Sequence, residues 1–370
     1  MLLNPKLTRT LCRLVVTGLN TVALAVLFQA VNSPAQTAVT GITYGSLVDN
    51  ANQTTGGITY LNRDRSVETV STGLGDYQFT GPLATNVYFR RNTDSNGNGN
   101  SNQSSDNPNN STLIYQVDGS DRAYGDYQAN LERVFLDGNL NTGLRNPFGN
   151  GSGNSTNSNV ERIDFYFSGG YTVQASDSLV FFDVENLGNF GDGFRIAAYT
   201  GVGTVNGFSN APTTYANTGK LVPADSFGGP ITNPQGGSSG SYFRSTFTSG
   251  DSLTGTASDT SSAGTLQLVG IMISFADLGI SAGTTIYGYS LMAGDTAPTT
   301  AASLVNWNNA TYYPTNTDPG GYGNMDFMGF GAQISRPVPE PSTYGALFLI
   351  LTSGALGWRR QRKNRGVTLA

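Results

Sequence analysis

Short apolar runs separated by Gly- and Asn-rich connections make up most of this 370-residue chain, and long apolar stretches occur only near its two ends. Runs rich in Val, Ile, Phe and Tyr at 77–79, 86–90, 113–117, 131–136, 160–167, 178–184, 193–199, 241–248, 266–275 and 285–292 have the length and composition of β-strands. Gly41-Ile42-Thr43-Tyr44 recurs as Gly57-Ile58-Thr59-Tyr60, and the polar stretch between the copies predicts a hairpin. Alternation is only partial in 160–167, which predicts a strand covered on both faces for part of its length. Residues 92–111 contain no large apolar side chain and read as a polar loop, as does the Gly/Asn/Ser stretch 149–159. The expected fold class is all-β: a β-sandwich of jelly-roll type with long Asn/Gly/Ser loops. No boundary divides 36–335, and past the N-terminal leader the one helix expected is a C-terminal transmembrane-type segment.

The N-terminus has the order of a secretory signal peptide. Lys6, Arg9 and Arg13 precede an apolar stretch over 14–28, and Ser33-Pro34-Ala35 supplies small residues at the −3 and −1 positions. Cleavage after Ala35 makes Gln36 the first mature residue. At the other end, Pro339-Glu340-Pro341 is followed by an uncharged apolar run, 344–358, and then by Arg359, Arg360, Arg362, Lys363 and Arg365. The two prolines fix their own φ and disfavour helix in the residues before them, so a helix starts only beyond them. Trp358 occupies an interfacial position, and the five cations remain cytoplasmic by the positive-inside rule, which places the body outside. Fifteen residues span roughly 22 Å as a helix, short of a hydrocarbon core of about 30 Å, so snorkelling arginines or local thinning must cover the difference.

This proline, apolar and basic tail, residues 338–365, resembles the C-terminal sorting signal of PEP-CTERM proteins. The resemblance implies processing by a membrane protease-transpeptidase, an exosortase-like enzyme that recognises Pro339-Glu340-Pro341. It also implies an exported, membrane-anchored and then cell-surface or extracellular destination. Such proteins accompany exopolysaccharide and biofilm production, so the resemblance points to an adhesive or matrix-associated role without enzymatic activity.

Composition narrows the chemistry. The one cysteine, Cys12, lies in the leader, so the exported body has no disulfide although its compartment permits them. Of 20 basic residues three are in the leader and five in the tail, leaving 12 against 25 acidic ones, a net charge of −13. A body this acidic repels phosphate backbones, which argues against nucleic acid and for divalent cations as partners. Histidine is absent altogether. Ser-His, Cys-His and His-zinc sites therefore cannot be built. Gly236-Gly237-Ser238-Ser239-Gly240 matches a nucleophile elbow by chance, without a base or an α/β context.

Paired carboxylates remain. Glu161 with Asp164, or Asp183 with Glu185 on one face of a strand, have the residue types of a glycosidase pair. A calcium site uses the second pair better. Asp183, Glu185, Asn186, Asn189 and Asp192 place five oxygen donors within ten residues, with glycines for sharp turns. Asp118, Asp121 and Asp126 form a poorer cluster, and the EF-hand-like run from Asp94 has Ser105 where a bidentate Glu belongs. Trp307, Tyr312 and Tyr313, interleaved with Asn side chains, would make a polysaccharide-stacking patch if exposed, which keeps a carbohydrate-binding module open as an alternative; core filling is the ordinary use of such rings.

Overall fold

The computed structural model describes residues 36–44, 48–49, 53–55, 58–60, 63–64, 67–94, 106–117, 140, 142–144, 146–149, 160–231, 243–247, 253–255, 266–314, 317, 325–328, 333–339 and positions 352, 353, 356 and 358. The leader with Ala35, the run 131–136, the loop 149–159 beyond Gly149, the 118–126 acidic cluster, Glu340, Pro341 and the five tail cations lie outside these residues.

Among them, regular structure is almost entirely β. The chain begins with β1 (Gln36–Tyr44), β2 (Val48–Asp49), β3 (Gln53–Thr55), β4 (Ile58–Tyr60), β5 (Arg63–Asp64) and β6 (Val67–Thr72). There follow β7 (Gly75–Leu83), β8 (Asn86–Asp94), β9 (Asp106–Val117), β10 (Thr142–Leu144), β11 (Arg162–Thr172), β12 (Ser178–Asn186), β13 (Phe194–Val205) and β14 (Phe208–Tyr215). The last group is β15 (Lys220–Val222), β16 (Gly228–Ile231), β17 (Phe243–Phe247), β18 (Leu253–Gly255), β19 (Leu266–Ser274), β20 (Thr285–Ala293), β21 (Phe327–Met328) and β22 (Gln333–Pro337). A 3-10 turn, Ala301–Leu304, lies between β20 and β21.

The repeated Gly-Ile-Thr-Tyr copies are both extended, but they do not pair with each other. β1 pairs with β6, β2 with β5 and β3 with β4, three nested antiparallel ladders with Thr55 opposite Ile58 at the innermost register. The connection between the copies is long enough to form strands of its own, so the hairpin closes further along. The polar stretch 92–111 is also corrected at both ends. Asn92 faces Ser111, Thr93 faces Asn107 and Asp94 faces Asp106 in the β8–β9 ladder. Backbone pairing continues there without apolar side chains.

The larger sheet curls until it closes: β19, β1, β6, β7, β22 and β12 pair in turn, and β12 pairs back onto β19. A second sheet runs β14-β13-β20-β11-β8-β9, with β15 beside β13. β14 is an edge strand, which is why it tolerates Pro212 in the ladder.

Side-chain alternation divides the core into layers. On β12 and β19, Leu179, Phe181, Val269, Ile271 and Ile273 face the second sheet, where they meet Ile163, Phe165, Ile196 and Leu291. Their neighbours Val180, Phe182, Val184, Leu268 and Met272 join Val39, Val70 and Tyr77 in a separate cluster within the curled sheet. The far face of the second sheet is covered too, by Leu304, Trp307 and Tyr313 packed on Ala197, Tyr199, Tyr215 and Met292. β12 is consequently buried at every residue from Ser178 to Glu185. At one crossing the backbones approach so closely that only glycine fits. A Cβ on Gly288 (φ 150°) would lie 1.8 Å from the Phe165 carbonyl oxygen.

No helix among the described residues is long and apolar enough to cross a membrane. Thr352, Ser353, Leu356 and Trp358 are helical, with Leu356 and Trp358 exposed.

Candidate functional site

The acidic run at the end of β12 comes together as its period-two pattern requires. Asp183 and Glu185 project on one face, and the chain then turns back through Gly188 and Gly191, both at positive φ. Gly191 is also pressed against the Phe227 ring, where an added Cβ would lie 2.1 Å from a ring carbon. This turn returns Asp192 to the strand end. Ligand oxygens of Asp183, Glu185 and Asp192 all lie within 4.8 Å of one another.

Asp183 is fully buried, and three backbone amides hold it in place. Its Oδ1 accepts from the N–H groups of Val184 (2.8 Å) and Asp326 (2.9 Å), and its Oδ2 accepts from that of Asp192 (2.9 Å). Donors of this kind fix the orientation of a carboxylate. Glu185 is 6% exposed. Asp192 is half-buried, and burial followed by the charges of Asp183 and Glu185 pushes its carboxyl up to about 9. A hydrogen bond with Glu185 and the charge of Asp225 act in the same direction, and no basic side chain is among the causes. Without a cation, then, Asp192 holds a proton at neutral pH that tempers the repulsion among the three groups.

Asp225 is a participant that sequence reasoning missed. It sits at positive φ, donates its N–H to the Gly191 carbonyl (2.8 Å) and accepts from the Phe190 N–H through Oδ1 (3.1 Å), fixing the turn that carries Asp192. Nothing near it in the sequence signals this, because the contact is long-range. Asn186 and Asn189, expected among the ligands, have exposed side chains instead. Asn189 contributes through its backbone, its carbonyl accepting from Gln267 Nε2 (2.5 Å). The arrangement is a set of hard anionic oxygens with second-layer amides behind it. It suits a calcium-like cation with remaining positions filled by carbonyls or water.

The other expected residues lie elsewhere. Trp307 is fully buried and Tyr313 is 1% exposed, so neither ring offers a face to a sugar; only Tyr312 keeps partial exposure. The physical reason lies beneath them. The Arg90 and Arg162 guanidinium carbons sit 5.0 and 4.9 Å from the Trp307 ring centroid, and the Tyr313 hydroxyl donates to the Leu304 carbonyl (2.8 Å). Asp164 of the Glu161/Asp164 pair is bound between Arg162 and Arg90. Burial alone would raise its carboxyl, but the two cations outweigh it and hold the group below the usual range. Pro339 is exposed two residues after the end of β22, with the Val338 N–H donating to the Asp76 carbonyl (2.8 Å), and Gln36 opens β1.

No family model matches this chain, and neither does any curated protein or solved structure among those compared.

Proposed function

We propose that the chain is an exported cell-surface or extracellular-matrix protein, without catalytic activity, sorted by its Pro-Glu-Pro, apolar and basic tail. The observation that carries this reading is the order of signals at the two ends of one β body. Cleavage after Ala35 and trimming beyond Pro339 would both leave the body whole, since its first described strand begins at Gln36 and its last ends at Pro337. The apolar run 344–358 would hold the chain in the membrane until an exosortase-like enzyme acts on Pro339-Glu340-Pro341, and the cations from Arg359 to Arg365 would act as the stop. β22 makes a firm root for such a tail. Arg336 donates through Nε to Asp177 (2.7 Å) and through Nη2 to the Tyr171 hydroxyl (2.5 Å), and Tyr171 in turn donates to Asp177.

Outside the cell, a disulfide-free body gains from metal, and Asp183, Glu185 and Asp192 would hold calcium. A glycosidase use of the same pair is disfavoured by access, since Asp183 has no exposed surface for a sugar to reach. Adhesion to exopolysaccharide rests on the sorting tail alone. Intact mass of the protein recovered from its native host tests the proposal. The expected species starts at Gln36 and ends close to Pro341; recovery of the untrimmed chain from the cytoplasm would overturn it.

A further inference from the structure

Two buried rings pin the loop that follows the 3-10 turn. Trp307 and Tyr313 have 0% and 1% exposure and Asn308 is buried beside them, whereas Asn309 is partly exposed and Ala310 and Thr311 are exposed. The loop thus dips onto the far face of the second sheet on either side and crests at 309–311. Its crest is folded back on itself. The Tyr312 and Tyr313 N–H groups donate to the Asn309 carbonyl (2.9 and 3.0 Å), and the Thr311 N–H donates to Asn309 Oδ1 (3.0 Å). That last bond closes an Asx turn.

Asn309-Ala310-Thr311 also has the Asn-x-Thr order of an N-glycosylation acceptor. With Oδ1 engaged in the turn, Nδ2 keeps both hydrogens free of any acceptor among the described residues, and the Thr311 hydroxyl has no partner there either. Neighbouring asparagines are committed otherwise. Asn306 Oδ1 accepts from Asn206 Nδ2 (3.0 Å) and from the Asn308 N–H (3.4 Å), Asn308 is 8% exposed, and neither begins an Asn-x-Ser/Thr triplet. We propose that Asn309 is a glycan attachment site, modified from a lipid-linked pyrophosphate sugar. The proposal rests on export, because a chain crossing a membrane passes the lipid that carries such a donor. The step breaks the bond between the anomeric carbon and the pyrophosphate oxygen and joins that carbon to Nδ2. Nδ2 gives one proton to a base of the transferase, and the lipid pyrophosphate leaves with the bonding electron pair. A carboxamide nitrogen is a poor nucleophile unaided; the Thr311 N–H on Oδ1 stabilises the negative charge that builds on the amide as the proton departs. The Thr311 hydroxyl is left for the transferase to read.

The test takes the protein from its native host and digests it with a protease that cuts before aspartate. This releases Asp295–Thr317, a peptide whose one Asn-x-Ser/Thr triplet is at 309. Electron-transfer fragmentation should place a sugar mass on Asn309. Asn309→Gln and Thr311→Val should both lose it, and Thr311→Ser should retain it. Thr311→Val keeps the N–H that closes the turn, so its loss of sugar reports recognition and not folding. Should Asn309→Gln fail to accumulate, the wild-type fragment map and the two Thr311 variants decide. An unmodified peptide from exported chain that starts at Gln36 overturns the inference and leaves the export reading standing. An unmodified peptide from untrimmed cytoplasmic chain overturns both. A sugar mass that persists in Thr311→Val, or that maps to a serine or threonine, overturns the assignment to Asn309.

Discussion

Replacing Glu185 by glutamine separates a working calcium site from a mere crowd of acids, because the two accounts give opposite signs. The change is nearly isosteric and removes one of the two charges that, after burial, push Asp192 up to about 9. Without metal it relieves repulsion within 4.8 Å, so the variant should melt at or above the wild-type temperature. With metal it deletes an anionic ligand and should lose most of the gain. If affinity is of the order of 10⁻⁴ M, as in extracellular calcium modules, about 10 mM calcium stabilises the folded state by about 2.7 kcal/mol. For a body of this size that corresponds to a Tm rise of about 4–5 °C in wild type, shrinking to about a degree in Glu185→Gln. The pH dependence follows from the raised carboxyl of Asp192. A folded pKa above the unfolded value of 3.8 gives stability that is full below about 4 and lost as pH rises toward about 9. The metal-free protein should therefore melt lower at pH 8 than at pH 6, and calcium should help more at pH 8, where it competes less strongly with that proton. Differential scanning calorimetry with EGTA or calcium at both pH values reads all four conditions. A wild-type Tm unmoved by calcium at pH 8, or an equal shift in the variant, refutes the reasoning.

Other substitutions test the frame around the site. Arg336→Leu strips the cation from buried Asp177 and from Tyr171, whose hydroxyl burial and the Asp177 carboxylate push up to about 12; urea unfolding should show a loss of about 1–3 kcal/mol, and no loss would mean the root of the tail is not tied. Asp164→Asn leaves two guanidiniums facing each other without a counter-charge and should cost about 3–5 kcal/mol by the same measurement. Gly288→Ala combines a positive φ with a clash against the Phe165 backbone, so a loss of at least about 3 kcal/mol or failure to accumulate folded protein is expected, and near-wild-type stability would show that β11 and β20 can part.

Strands with apolar content were legible because their runs are short and rich in β-branched and aromatic residues: 178–184 and 266–275 appear almost unchanged as β12 and β19. Polar strands were not. β14 reads Phe-Ser-Asn-Ala-Pro-Thr-Thr-Tyr, which lacks both alternation and bulk, and it exists because β13 offers it an edge. Nor does any local pattern encode the closure of the larger sheet, since β1 and β22 find their partners across most of the chain. The acidic pair was visible from spacing, whereas Asp225 came from a distant turn. Trp307 fills the core, the ordinary use of such a ring, and not the alternative glycan patch, for a definable reason. Arg90 and Arg162 sit inside runs of strand formers, and an arginine there needs a cover when its sheet is buried on both faces; that demand, and not the flanking asparagines, fixes where the indole goes.

Double-sided burial also explains why ions matter to this molecule more than its modest charged content of 12% implies. In a sheet with one solvated face, side chains such as Asp183 or Arg162 would alternate outward and be screened by water. β12 has no such face from Ser178 to Glu185, nor has β11 from Arg162 to Phe165. Every ionised group there must be neutralised from within, by a partner, a proton or a bound ion. Around Asp164 the protein supplies two cations for one anion; around Asp192 it supplies acids and a proton. The two imbalances have opposite sign and lie on different strands, so they cannot cancel each other. Stability should accordingly respond to which cations are present at fixed ionic strength, calcium acting at the acidic cluster.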